Sequence, residues 1–116
     1  MSKENCLFCK IISGEIKSAK VYEDEVCLAF NDISPQAPTH VLIVPREHLA
    51  SLAEAQAHHE QMLGHLLLTA GQIAREKGFA DDGYRTVINT NADGGQTVFH
   101  LHVHLLGGRP FVFPPG

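Results

Sequence analysis

The stretch that most limits what this chain can fold into is Val98-Phe99-His100-Leu101-His102-Val103-His104-Leu105-Leu106. Three histidines alternate with apolar residues. An extended backbone sends successive side chains to opposite faces. The pattern therefore predicts a strand with His100, His102 and His104 on one face and Phe99, Leu101, Val103 and Leu105 on the other. A slip of one residue would bury three imidazoles and expose the aliphatics, so the apolar face pins the register. Same-face neighbours then sit roughly 6.6 Å apart, at about 3.3 Å rise per residue. Three of the chain's eight histidines fall within five positions, which argues against a polar face that is His-rich by accident.

The rest of the chain reads as support for that strand. Cys6–Ile12 is apolar at mixed spacing and stops at Ser13-Gly14, which fits a short helix with Phe8, Ile11 and Ile12 facing inward. Lys20–Glu23 and Val26–Phe30 read as a hairpin turning at Glu23-Asp24-Glu25. Asn31–Pro38 carries two prolines and is a loop. His40–Pro45 is a β-branched run, expected as a central strand. Ser51 and Glu54 match a capping box, and a helical stripe of Met62, Leu63, Leu66, Leu67, Ala70, Ile73 and Ala74 continues to Lys77, with Gly78 as its stop. Gly64 and Gly71 lie seven apart, on one side of that helix. At about 1 kcal/mol each relative to Ala, they suggest a close backbone approach. Tyr84–Asn89 alternates as a further strand. The expected fold is α+β: a five-stranded antiparallel sheet, one long helix over one face, a short N-terminal helix, and a single domain spanning residues 1–116.

Bulk properties narrow the partners. The 116 residues carry a formal charge of -4, which gives no basic footprint for duplex nucleic acid. No run approaches the ~18 apolar residues of a membrane span, and MSKENC is not an apolar leader; a cytoplasmic protein is expected. Three cysteines do not make a disulfide framework. Cys27 sits in an apolar run and reads as a small buried residue. Cys6-x-x-Cys9 points to metal or redox chemistry in a reducing compartment; no strand precedes it, as a redox motif would require.

Imidazole titrates near pH 6.5, so at neutral pH it serves as nucleophile, base or acid. Three close rings resist simultaneous protonation, and a mixed state is expected, with one neutral ring to attack and one cation to hold an anion. The preceding loop adds donors. Gly94 and Gly95 allow backbone N–H groups to approach a ligand, Gln96 and Thr97 offer side-chain donors, and Asn89 adds another from the neighbouring strand. That set suits a phosphate. The rival reading is a metal held by an H-x-H pair, and the row of histidines alone does not decide between them.

His100–Leu106 resembles the H-φ-H-φ-H-φ-φ signature of the histidine-triad (HIT) superfamily. Asn31–His40, Asp93–Val98 and Leu106-Gly107-Gly108-Arg109 are similar to its Hint branch, and the match runs over nearly the whole chain. The resemblance implies a homodimer whose sheet extends across the subunits, and binding of purine nucleoside monophosphates. It implies hydrolysis of adenosine 5′-phosphoramidates and aminoacyl-adenylates to AMP. By position it makes His102 the nucleophile that forms a nucleotidyl-histidine and puts His104 on the phosphate. His100 and His40 support geometry and proton traffic. Asn89, Gly95, Gln96, Thr97 and Val98 line the phosphate site, Asp32 takes ribose hydroxyls, and Phe8, Ile11, Phe30 and Ile33 form the base slot.

No cofactor is implied for catalysis. Some similar bacterial proteins hold a structural zinc through this C-x-x-C pair, and position matching names Cys6, Cys9, His48 and His100 as the ligands. Three positions depart from the pattern. Thr97 stands where Ser is common and keeps the hydroxyl. Lys17 replaces a frequent proline. Phe113 stands where some members carry Trp, in a tail that touches the partner's site.

Overall fold

The structure, a computed structural model, describes residues 5–116. The polar start expected at residues 1–5 lies, but for Asn5, outside the described residues. Helix α1 (Leu7–Ile12) starts at Cys6, whose sulfur accepts the Cys9 N–H. Strands β1 (Lys20–Glu23), β2 (Cys27–Asn31) and β3 (Thr39–Pro45) follow, then helix α2 (Glu60–Lys77) and strands β4 (Arg85–Val87) and β5 (Val103–Gly107). The sheet is antiparallel throughout, in the order β1-β2-β3-β5-β4. The predicted fold class is therefore present, with β3 central as expected. The later strands are not in simple hairpin order: β5 inserts between β3 and β4.

Alternation along the central strands builds two cores. Ala29, Val41, Ile43, Leu101, Val103 and Leu105 meet Leu66, Ala70, Ile73 and Ala74 of α2 on one face. Leu28, Phe30, Leu42 and Val44 meet Cys6, Phe8 and Ile11 of α1 on the other. The sequence pattern predicts a sheet covered on one face; β2 and β3 are instead buried on both sides, which is why they read as continuous apolar runs rather than alternating ones. A fully buried Leu such as Leu66 or Leu105 contributes about 1.5–3 kcal/mol.

The β1–β2 turn is organised by one side chain. Asp24 Oδ1 accepts the Val26 and Cys27 N–H groups, and Oδ2 accepts from Tyr22 and His65. Arg46 Nε donates to the Asp24 carbonyl from the end of β3. Burial alone would raise the Asp24 carboxyl, but the two backbone donors, His65 and Tyr22 outweigh it and hold the group well below the usual carboxylate range.

Several boundaries differ from the pattern. The capping box at Ser51 does not form: Ser51 is buried and its hydroxyl has no hydrogen-bond partner. Two 3-10 turns, Leu52–Glu54 and Ala57–His59, precede α2, and His59 Nδ1 accepts the Gln56 N–H at that entry. Within α2, Leu67 is exposed while Thr69 and Gly71 are buried. Only Gly71 of the glycine pair meets a neighbour, the Tyr84 hydroxyl, which a Cβ would approach to 3.3 Å; Gly64 faces open space. At Gly107 a Cβ would overlap the Phe79 ring, so the end of β5 lies flush against the segment that follows α2.

The histidine stretch is also corrected. The sheet ladder reaches only Val103, paired with Ile43. His100 and His102 precede it in extended, unladdered backbone. Side-chain alternation persists into that segment, with Leu101, Val103 and Leu105 in the helix-side core.

Candidate functional site

A cavity of about 610 Å³ opens on the α1 side of the sheet, within the range of small-molecule sites. Phe8, Ile11, Phe30 and Ile33 line it, with Asp32, Thr97, Val98, His102 and His104. Nine predicted binding positions thus meet in one place. Phe8 stands edge-on to Phe30, ring centroids 5.5 Å apart, and to His102 at 5.0 Å. The wall also includes Leu42, Asn31 and the Ile16–Ala19 connection, which sequence reasoning missed. Leu42 was detectable, since it shares the β3 face of Val44; the connection has no pattern that assigns it.

The ring nitrogens can be assigned from their partners. Carbonyls only accept, so His102 donates from Nδ1 to the His100 carbonyl at 2.7 Å, and Nε2 keeps its lone pair. His40 Nδ1 accepts the Gln36 N–H, so its Nε2 carries the proton and donates to His104 Nδ1 at 2.9 Å. The Asp32 carboxylate lies 3.4 Å from the same nitrogen. His104, accepting at Nδ1, holds its own proton on Nε2. The result is one nucleophilic nitrogen and one N–H donor on two rings whose centroids are 5.0 Å apart.

Protonation follows from burial. Desolvation lowers His102 despite the opposing His100 carbonyl and Asp32 charge. It pushes His104 down to about 4, helped by repulsion from His102 and His40, and it lowers His40 as well. The mixed state expected from sequence is replaced by a neutral triad at pH 7: His102 is free to attack, and an anion would meet N–H donors rather than an imidazolium.

The glycine loop is braced by its own side chains. Gln96 is buried. Its Oε1 accepts the Asn91 N–H, and its Nε2 donates to the Ala50 and Val98 carbonyls. Both amide protons are therefore used, and the Gln96 side chain is not the open donor expected from sequence. Asn89 Nδ2 likewise donates to the Gly94 carbonyl. Gly95 sits at φ +82°, a conformation that glycine adopts without strain. Asn89, Gly95 and Gln96 do not line the cavity; they shape the loop that presents Thr97 and Val98 to it.

His100 does not share the cavity with the other two histidines. It is fully buried and donates from Nε2 to the Pro45 carbonyl at 2.8 Å, which leaves a lone pair on Nδ1. That nitrogen lies 3.3 Å from Cys6 Sγ, 3.5 Å from Cys9 Sγ and 3.2 Å from His48 Nδ1, and Cys9 Sγ lies 3.4 Å from His48 Nδ1. Tetrahedral zinc, with bonds of about 2.3 Å to sulfur and about 2.05 Å to nitrogen, puts S and N ligands about 3.5 Å apart and two nitrogens about 3.3 Å apart. The four side chains fit a closed Cys2His2 site, since they converge acceptor atoms on one point that a cation satisfies. Burial pushes His100 down to about 4, favouring the neutral form that ligates.

Comparison with known proteins agrees with this geometry. Residues 13–111 match the HIT domain family. The chain is 52% identical over 107 residues to the purine nucleoside phosphoramidase of Escherichia coli, covering 92% of this chain and 90% of that one. It is 54% identical over 112 residues to the 14 kDa zinc-binding protein of Zea mays, covering 95% and 87%. A HIT family hydrolase from Legionella pneumophila superposes with a TM-score of 0.95 at 49% identity, covering 97% of this chain and all of that one. Fold, histidine arrangement and sequence agree: the chain belongs to the HIT domain family.

Proposed function

We propose that this protein is a nucleotide hydrolase that cleaves the P–N bond of purine nucleoside 5′-phosphoramidates, and the acyl-phosphate bond of aminoacyl-adenylates, releasing AMP. The observation that carries the reading is the assignment of His102. Its Nδ1–H is tied to the His100 carbonyl, so the neutral ring has Nε2 as its nucleophile. In the first step that nitrogen bonds to the α-phosphorus as the P–N bond breaks; the leaving amine takes its proton from water, and His104 Nε2–H donates a hydrogen bond to the phosphoryl oxygen. His40 Nε2–H, beside the Asp32 carboxylate, donates to His104 Nδ1 and so keeps the His104 proton on Nε2, facing the phosphate. Water then cleaves the nucleotidyl-histidine and regenerates Nε2.

The purine would lie between Phe8, Ile11, Phe30 and Ile33, with the ribose hydroxyls on Asp32. Asn89, Gly95 and Gln96 would hold the loop whose Thr97 and Val98 face the phosphate. Cys6, Cys9, His48 and His100 would hold a structural zinc. With all four positions filled by protein, it would not enter the reaction. The E. coli relative's name supports the reaction class, and the Zea mays relative's name supports the metal. The remaining expectations complete the proposal: one domain over the whole chain, a cytoplasmic location, and a homodimer. For the dimer the exposed Leu67 and Leu68 of α2 and the edge strand β4 offer a surface.

His102→Ala tests the reading. Release of AMP from an adenosine phosphoramidate should fall by several orders of magnitude while AMP still binds; turnover near the wild-type rate would refute it.

A further inference from the structure

The His102 ring hangs on the one part of its segment that the sheet does not hold. The ladder between β3 and β5 ends at Ile43 and Val103. The backbone from Val98 to His102 therefore lacks strand partners. Gln96 braces the Val98 carbonyl at its start, and two attachments hold the part next to His102. One is the Leu101 N–H, which donates to the Leu49 carbonyl at 2.7 Å. The other is the side chain of His100, anchored through Nε2–H to Pro45 and through Nδ1 to the Cys6, Cys9 and His48 cluster. Both attachments run through the same region, because Leu49 follows His48 directly. The acceptor that fixes the His102 tautomer is the carbonyl of His100 itself. A third link runs through α1: Phe8, between the two cysteines, packs edge-on against His102 at 88°.

We infer that Cys6, Cys9 and His48 are positioning residues for His102. Together with His100 they bind a thiolate-preferring divalent cation, and this clip does for residues 98–102 what the sheet ladder does for the rest of β5. Without a cation, the His100 and His48 Nδ1 atoms, 3.2 Å apart, are left with weak thiol S–H contacts in place of metal bonds. His100 then leaves its place, its carbonyl moves, and the His102 ring samples both tautomers. The form protonated at Nε2 has no lone pair for phosphorus. The inference rests on the proposed function for its catalytic consequence, though its structural part stands alone.

The test compares zinc-loaded protein, protein stripped by a chelator, and protein reloaded with zinc or cadmium, with His48→Gln as a milder variant. Metal content, far-ultraviolet circular dichroism, the 15N shifts of the His102 ring, and kcat and KM on an adenosine phosphoramidate are read in parallel. One metal per chain and a single Nδ1–H tautomer are expected in the loaded form. The stripped form should keep its secondary structure and show mixed His102 tautomers. Its kcat should fall by about tenfold to a hundredfold, the usual scale for loss of supporting contacts around a site, and recover on reloading. A folded, metal-free protein with the same His102 shifts overturns the inference, as does loaded protein that takes up no stoichiometric metal. If stripping unfolds the chain, His48→Gln decides: retained fold with mixed tautomers supports the inference, and unchanged tautomers overturn it. Loaded protein that releases no AMP defeats the proposed function instead, while the ring shifts still decide the positioning role.

Discussion

Replacing Gln96 with Ala separates two roles that sequence alone assigns to one residue. If the side chain were an open phosphate donor, its removal would weaken ligand binding and leave the fold untouched. In the structure this buried side chain makes three hydrogen bonds to partly buried loop backbone: Asn91 N–H to Oε1 at 2.8 Å, and Nε2 to the Ala50 and Val98 carbonyls at 2.8 and 3.1 Å. At a net contribution near 1 kcal/mol each, Gln96→Ala should destabilise the protein by about 3 kcal/mol. For a domain of this length that corresponds to a fall in Tm of roughly 12 °C. Gln96→Glu should be at least as harmful, because a carboxylate oxygen would replace the Nε2 donor and face two carbonyl oxygens. Thermal unfolding followed by circular dichroism measures both, and AMP titration should show weakened binding, since the loop that carries Thr97 loses its brace. A Gln96→Ala protein that melts within about 3 °C of wild type, a loss below roughly 1 kcal/mol, would refute the strut and restore the open donor.

Gly107→Ala drives a methyl into the Phe79 ring and should cost about 1–3 kcal/mol in chemical denaturation, whereas Gly64→Ala, facing open space, should be neutral or slightly stabilising. Asp24 has a folded-state pKa below its unfolded value. Its contribution is thus complete above about pH 4 and disappears as the pH falls through the lower folded value. Between pH 5 and pH 3, Asp24→Asn should lose less Tm than wild type, and equal acid slopes would show that the turn does not act this way. Burial pushes the Cys27 thiol up to about 11, so at pH 7.5 only about 0.03% is thiolate. Mass spectrometry after iodoacetamide treatment should find Cys27 unmodified in folded protein and modified in denaturant.

Much of the architecture was legible because periodicity is a local property. The apolar run of β3, the stripe of α2 and the alternation of Leu101, Val103 and Leu105 each report burial without knowledge of the partner. The boundaries that failed were those decided by long-range contacts. Ser51 and Glu54 have the right letters for a cap, yet Ser51 is buried and the chain passes through two 3-10 turns before α2. The strand expected from Val98 begins at Val103: the β3–β5 ladder ends at Ile43, and farther along β3 the Pro45 carbonyl accepts from the His100 side chain instead of a strand N–H. The reading of Gln96 failed for a related reason. A side-chain amide in a glycine-rich loop looks available until the carbonyls of Ala50 and Val98 are found on both of its protons.

By itself the sequence determined that three imidazoles alternate with core residues, that a glycine loop precedes them, and that two thiols lie three positions apart in a short helical turn. Those facts are set by side-chain type and backbone period, which need no third dimension. Only the tertiary structure decided how the three rings differ. His100 turns to the cysteines and His48, 91 or more and 52 residues away in the chain. His102 takes its proton position from a carbonyl two residues back, and His104 takes its own from His40, 64 residues away. A ring's tautomer is fixed by whatever donor or acceptor the fold brings to each nitrogen, and no local pattern of letters contains that information.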